Sequence, residues 1–89
     1  MAVKVALFHF DKRIGDVYVD GSELFASDTD AKSIVEDVIQ RRSEMDPPGG
    51  DLVAWLEKHM NGALHAVVEG EGSVPEDAVK VSTDGQPSV

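Results

Sequence analysis

The chain has 89 residues, with 17 Asp and Glu against 8 Lys and Arg, a net charge of -9 and no cysteine. A chain of this length forms one domain near the size where a single core barely suffices, burying roughly 60 to 65% of its unfolded surface. The negative field disfavours nucleic-acid phosphates and anionic lipid while speeding encounter with a basic protein surface, and the lack of Cys excludes disulfide staples, thiolate nucleophiles and cysteine-held zinc and suits a reducing cytoplasm.

The first element is legible from alternation. Val3, Val5, Leu7 and His9 alternate with Lys4, Ala6, Phe8 and Phe10, a β-rich run apolar on both faces toward its end, which predicts a buried or central strand. That run is too short to cross a membrane and leads to no small-residue cleavage site. Asp11-Lys12-Arg13 with Gly15 supplies turn chemistry before a second strand at Asp16-Val17-Tyr18-Val19, and Asp20-Gly21 signals a hairpin into a third strand at Glu23-Leu24-Phe25-Ala26. The three strands read as an antiparallel meander.

Ser27-Asp28-Thr29-Asp30 offers capping oxygens in a row, and the two carboxylates suit the positive end of a helix dipole. Ala31, Ile34, Val35, Val38 and Ile39 then recur at amphipathic helical spacing, and Arg41 and Arg42 close the helix with cations at its negative end. Pro47-Pro48-Gly49-Gly50 breaks the chain, Asp51 caps a second helix running to about Met60, and Asn61-Gly62 stops it. Leu64 to Val68 reads as a strand returning to the sheet, and Ala78 to Val81 as a short edge strand. These elements predict an α+β fold of βββ-αα-β order with both helices on one face. Residues 1–72 form the compact domain, and residues 73–89 supply the edge strand and a mobile polar tail.

Chemistry-bearing motifs are missing. There is no Gly-x-Ser-x-Gly elbow, no phosphate-cradling loop ending in Lys-Ser or Lys-Thr, and no Gly-x-Gly-x-x-Gly. His59 and His65 match no zinc spacing, and position twelve counted from Asp28 is Ile39, where a calcium loop needs a carboxylate. No cofactor and no metal is expected. A small hydrolase would need His59 or His65 beside a carboxylate or Ser in a concave site.

Trp55 lies about 110° from the centre of the Leu52, Val53, Leu56 and Met60 stripe on a helical wheel, at its margin, with His59 one turn later on the same edge. Tryptophan is a common interface anchor, so Trp55 and His59, with the acidic Asp37 of the first helix, form the candidate partner-binding set. The competing reading closes Trp55 over the sheet with its indole N–H on an acceptor. Residues 23–31, Glu23-Leu24-Phe25-Ala26-Ser27-Asp28-Thr29-Asp30-Ala31, resemble the hairpin-to-helix junction of small antitoxin domains of the HicB type. The Pro-Asp-Leu-Pro-Gly run of those domains is absent, and no residue role or function is carried over.

The expected function is a cytoplasmic, non-enzymatic module that binds and modulates another protein, one with a basic surface, as an accessory or regulatory factor of the kind bacteriophages use on their hosts. The alternatives are a self-assembling subunit or homodimer and, further off, an acidic mimic of a phosphate backbone. Direct nucleic-acid or membrane binding is not expected.

Overall fold

In the computed structural model, which describes residues 1–83, a five-stranded antiparallel sheet carries two helices on one face, the α+β arrangement that the sequence implies. The meander is β1 (Ala2–His9), β2 (Lys12–Asp20) and β3 (Glu23–Ala26). Next come α1 (Thr29–Arg42) and α2 (Leu52–His59), then β4 (Leu64–Gly72) and β5 (Val79–Val81). The strand order β4-β1-β2-β3-β5 puts β2 at the centre, makes β1 an interior strand between β4 and β2, and leaves β4 and β5 at the edges. The expected tail falls largely on residues 84–89, outside the described part, whereas Val81 of the edge strand is fully within the core.

Strand alternation decides which side chains meet the helices. Val5 and Leu7 of β1, Val17 and Val19 of β2 and Leu24 of β3 all point to the helical face. There they pack with Val35, Ile39, Leu56 and Met60, each fully buried aliphatic contributing about 1.5–3 kcal/mol. α1 lies over β2, β3 and β5, and α2 over β4. Asp28 caps α1 by accepting the Ala31 N–H at 2.8 Å, and Asp51 caps α2 by accepting the N–H groups of Val53 and Ala54. The Ser82 N–H donates to Glu36 at 2.8 Å, tying the segment after β5 to α1.

The first hairpin is tighter than its sequence suggests. His9 pairs with Lys12, so the turn is Phe10-Asp11 alone, and Lys12 and Arg13 already belong to β2. Leu7 pairs with Gly15 and Phe8 with Arg13, leaving Ile14 as the extra residue of a β-bulge. Ile14 and Gly15 both turn toward α1. A Cβ on Gly15 would stand 2.9 Å from the Ala31 Cβ, so this glycine serves helix–sheet approach and not the turn.

Among the described residues the face away from the helices carries no second layer. Arg13 crosses over β1 there, donating to Glu69 on β4 at 2.9 and 2.6 Å and to Asp16 on β2. These two carboxylates, Glu69 first, hold the guanidinium firmly protonated.

β4 is the long edge, and it is blunted at both ends. The Ala66 N–H donates to the Met60 carbonyl at 2.9 Å and the Gly62 N–H to the Leu64 carbonyl at 3.3 Å, so residues 60–62 fold back over its first half. The second half carries a bulge between the Val5 and Lys4 pairings, with Glu69 and Glu71 beside it, devices that discourage a further strand.

Candidate interaction surface

At the sheet end where β1 finishes and β2 and β4 begin, α1 stands away from the strands. The gap is a trough of three adjoining hollows of about 590, 450 and 260 Å³. Ile14 and Ile34 floor the first two hollows together, and Leu64 and Arg41 are shared by the second and third. The sequence explains the opening. The bulge aims Ile14 at α1, while Ile34 sits on the border of the α1 stripe, so both remain half-buried where a core residue would be covered.

The electrostatics of the trough differ from those of the rest of the molecule. Lys12, Arg13, Arg41 and Arg42 are four of the eight cations of the chain, whereas among the described acids Asp30 and Asp37 alone line the trough. With the Arg13 guanidinium turned away and paired with Glu69 and Asp16, Lys12, Arg41 and Arg42 against Asp30 and Asp37 leave a local charge of +1 in a chain of -9. Arg41 is held by Asp37 at 2.9 Å, and the Arg13 guanidinium is engaged on the opposite face of the sheet. Neither Lys12 nor Arg42 has a side-chain ion pair among the described residues.

Beside the trough, Phe10 projects from the hairpin tip. It is 65% exposed, and its φ of 57° places it in the left-handed region, the one non-glycine residue there among those described. An aromatic L-residue in that region carries a backbone cost of about 1–2 kcal/mol. Its ring meets the His9 imidazole edge-on at 4.8 Å, and His9 lines the middle hollow. The Phe10 N–H donates to the Ala63 carbonyl at 2.6 Å, which fixes the tip against the start of β4.

The three residues singled out from sequence separate in space. Trp55 is only 6% exposed, with its Nε1–H donating to the Asp46 carbonyl at 2.8 Å. It occupies the core face of α2 while Val53 moves to the margin, because burying an indole removes more apolar surface from water than burying an isopropyl group. His59 lies against Trp55 at 4.5 Å between ring centroids, holds Asp46 through Nε2 at 2.7 Å, and lines the third hollow. Asp37 lies at the rim of the middle hollow, its side chain 62% exposed. The trough thus brings His59 and Asp37 along one surface, bridged by Arg41, and leaves Trp55 beneath it.

Asp46 organises this corner from the loop between the helices. Lys58 donates to its carboxylate at 2.9 Å, and this bond, followed by that of His59, lowers the Asp46 pKa below the ordinary carboxylate range. The other two imidazoles are likewise in contact with rings, His65 stacked on Phe8 at 5.3 Å and His9 on Phe10. Among the described residues no cluster of three or more His, Asp or Glu could hold a metal, and no helix is long and apolar enough to cross a membrane.

Sequence reasoning missed Phe10, Ile14, Ile34, Leu64, Lys12 and Arg42. Phe10 was counted into the strand, and the positive φ that distinguishes it has no marker when the residue is not Gly, Asn or Asp. The usable signal was Phe10-Asp11 between two strand-forming runs, the two-residue spacing of a tight hairpin. Comparison with protein-family models, with curated proteins and with solved structures finds no match for this chain.

Proposed function

We propose that this protein is a non-enzymatic interaction module that binds another polypeptide and modulates it, an accessory or regulatory factor, and that the surface it uses is the hairpin tip with the adjoining trough. The observation that carries the reading is Phe10. A large aromatic is held in solvent in a left-handed backbone conformation that glycine would occupy at lower cost, and such outliers persist where the exposed side chain has a use. Exposed aromatics beside an apolar depression are the usual energetic centres of protein interfaces. The buried position of Trp55 supports moving the contact surface from α2 to this end of the sheet.

The test sets stability against binding. Full-length wild-type chain and Phe10→Gly are used to capture partners from the native source, and the affinity of a retained partner is then measured with both purified proteins. The reading expects Phe10→Gly to fold at least as stably as wild type and to bind at least about tenfold more weakly. A variant that binds its partner as wild type does removes Phe10 from the interface and the reading with it.

A further inference from the structure

The trough resolves the chemistry of its occupant, and the inference rests on the polypeptide-binding reading above. We infer that it takes a short acidic segment of a partner chain bearing aliphatic side chains, with carboxylates directed to Lys12 at one end and Arg42 at the other. Net charge alone argues for a basic partner. The distribution argues otherwise at this surface, because the trough is locally +1, with Lys12 and Arg42 outside any ion pair among the described residues, and most of the acids lie elsewhere. At physiological ionic strength charges are screened beyond about 8 Å, so a bound segment senses the trough's own side chains more than the distant carboxylates.

Geometry sets the length. The α1 wall runs from Asp30 to Arg42, about 18 Å at 1.5 Å per residue, room for about five residues of extended chain. The floor of Ile14, Ile34 and Leu64 offers aliphatic surface but no aromatic face. A nucleic-acid strand is the less fitting anion, since it draws affinity from several phosphate contacts, while among the described residues only Lys12 and Arg42 are trough cations without an ion pair. Asp37 holds Arg41 upright at the rim at 2.9 Å, a fixed donor between the two ends.

The experiment follows backbone amide resonances of the full-length protein while three probes are added separately: a capped hexapeptide alternating Glu and Leu, its counterpart with Lys for Glu, and short oligothymidylate. The expected result is that the Glu-Leu peptide shifts the amides of Ile14, Ile34 and Leu64. Arg42→Glu and Lys12→Glu each weaken that binding about three- to tenfold, while Lys80→Glu, on the β5 edge away from the trough, leaves it unchanged. Ile34→Glu should abolish binding, and the exposed Arg42→Glu variant keeps the test intact if Ile34→Glu does not fold. Occupation of the trough by the Lys-Leu peptide in place of the acidic one overturns the acidic occupant while leaving polypeptide binding standing. Occupation by oligothymidylate overturns the peptide assignment, and trough amides that no probe shifts overturn the trough as a docking site. None of these outcomes depends on Phe10, whose own test decides the broader reading.

Discussion

Replacing Phe10 by Gly and, separately, by Ala isolates the backbone cost at the hairpin tip. At φ 57° an L-residue loses about 1–2 kcal/mol relative to its preferred regions, and Ala keeps that penalty while Gly does not. Glycine gives back about 0.5–1 kcal/mol through the greater freedom of its unfolded chain. The net expectation is that Phe10→Gly is more stable than Phe10→Ala by roughly 0.5–1 kcal/mol, a melting-temperature gap of about 2–8 °C for a domain of this size. Losing the ring costs both variants equally and little, since it is 65% exposed and its one ring contact is the His9 edge. The Phe10 N–H bond to Ala63 is a backbone bond and survives in both. Thermal unfolding followed by circular dichroism decides the matter. Equal melting temperatures for the two variants, or a lower one for Gly, would refute the claim that the tip is held against its backbone preference.

Three other perturbations test the fold around this surface. Gly15→Ala places a Cβ 2.9 Å from the Ala31 Cβ and should destabilise by about 1–3 kcal/mol in denaturant unfolding, as α1 is pushed off β2. Trp55→Ala should cost about 3–5 kcal/mol, from the buried indole and the unpaired Asp46 carbonyl, so that weakened binding by this variant should track unfolding measured on the same sample. The folded-state pKa of Asp46 is lowered by Lys58 and then His59, so its contribution to stability is present above the unfolded carboxylate pKa and lost as pH falls through the lower folded value. An acid titration of unfolding midpoints should therefore show a smaller loss on the acid side in Asp46→Asn than in wild type.

Much of the fold was legible because local and tertiary preferences agree. Asp51 caps α2 as expected, one of the four residues offered at 27–30, Asp28, caps α1, and Asp20-Gly21 opens a hairpin whose Gly21 has φ 61°. The first hairpin was misplaced for a physical reason. Glycine has two uses, a positive φ and the lack of a Cβ, and sequence does not say which is in force. Gly15 was read for the first use and serves the second, so the turn expected between Asp11 and Gly15 is instead strand, and the bulge at Ile14 that opens the trough went unseen. The extension of β4 past Val68 escaped for a related reason, since Gly70, with φ 128°, lets the strand continue after a bulge through residues that read as loop. Trp55 was placed at the margin because Val53 was weighted equally in locating the stripe, whereas the helix rotates to bury the larger ring.

Total charge and local charge argue for opposite partners. The described acids occupy helix caps, turns, the outer faces of both helices and strand positions such as Glu23, Glu69 and Glu71. The cations of the first hairpin and of the C-terminal turn of α1 are far apart in sequence, at Lys12 and at Arg41-Arg42, and chain order alone gives no reason to sum them. Antiparallel pairing of β1 with β2 and the passage of α1 across the sheet bring these two groups to the walls of one trough floored by Ile14 and Ile34. A surface that is cationic at its ends and aliphatic between them, in a molecule acidic elsewhere, selects by contact what the overall field repels. Encounter with an acidic segment should then quicken as salt screens the net repulsion, while the bound state weakens as the same salt screens Lys12 and Arg42, so that on-rate and off-rate rise together. For a basic segment drawn in by net charge, the on-rate would instead fall with salt.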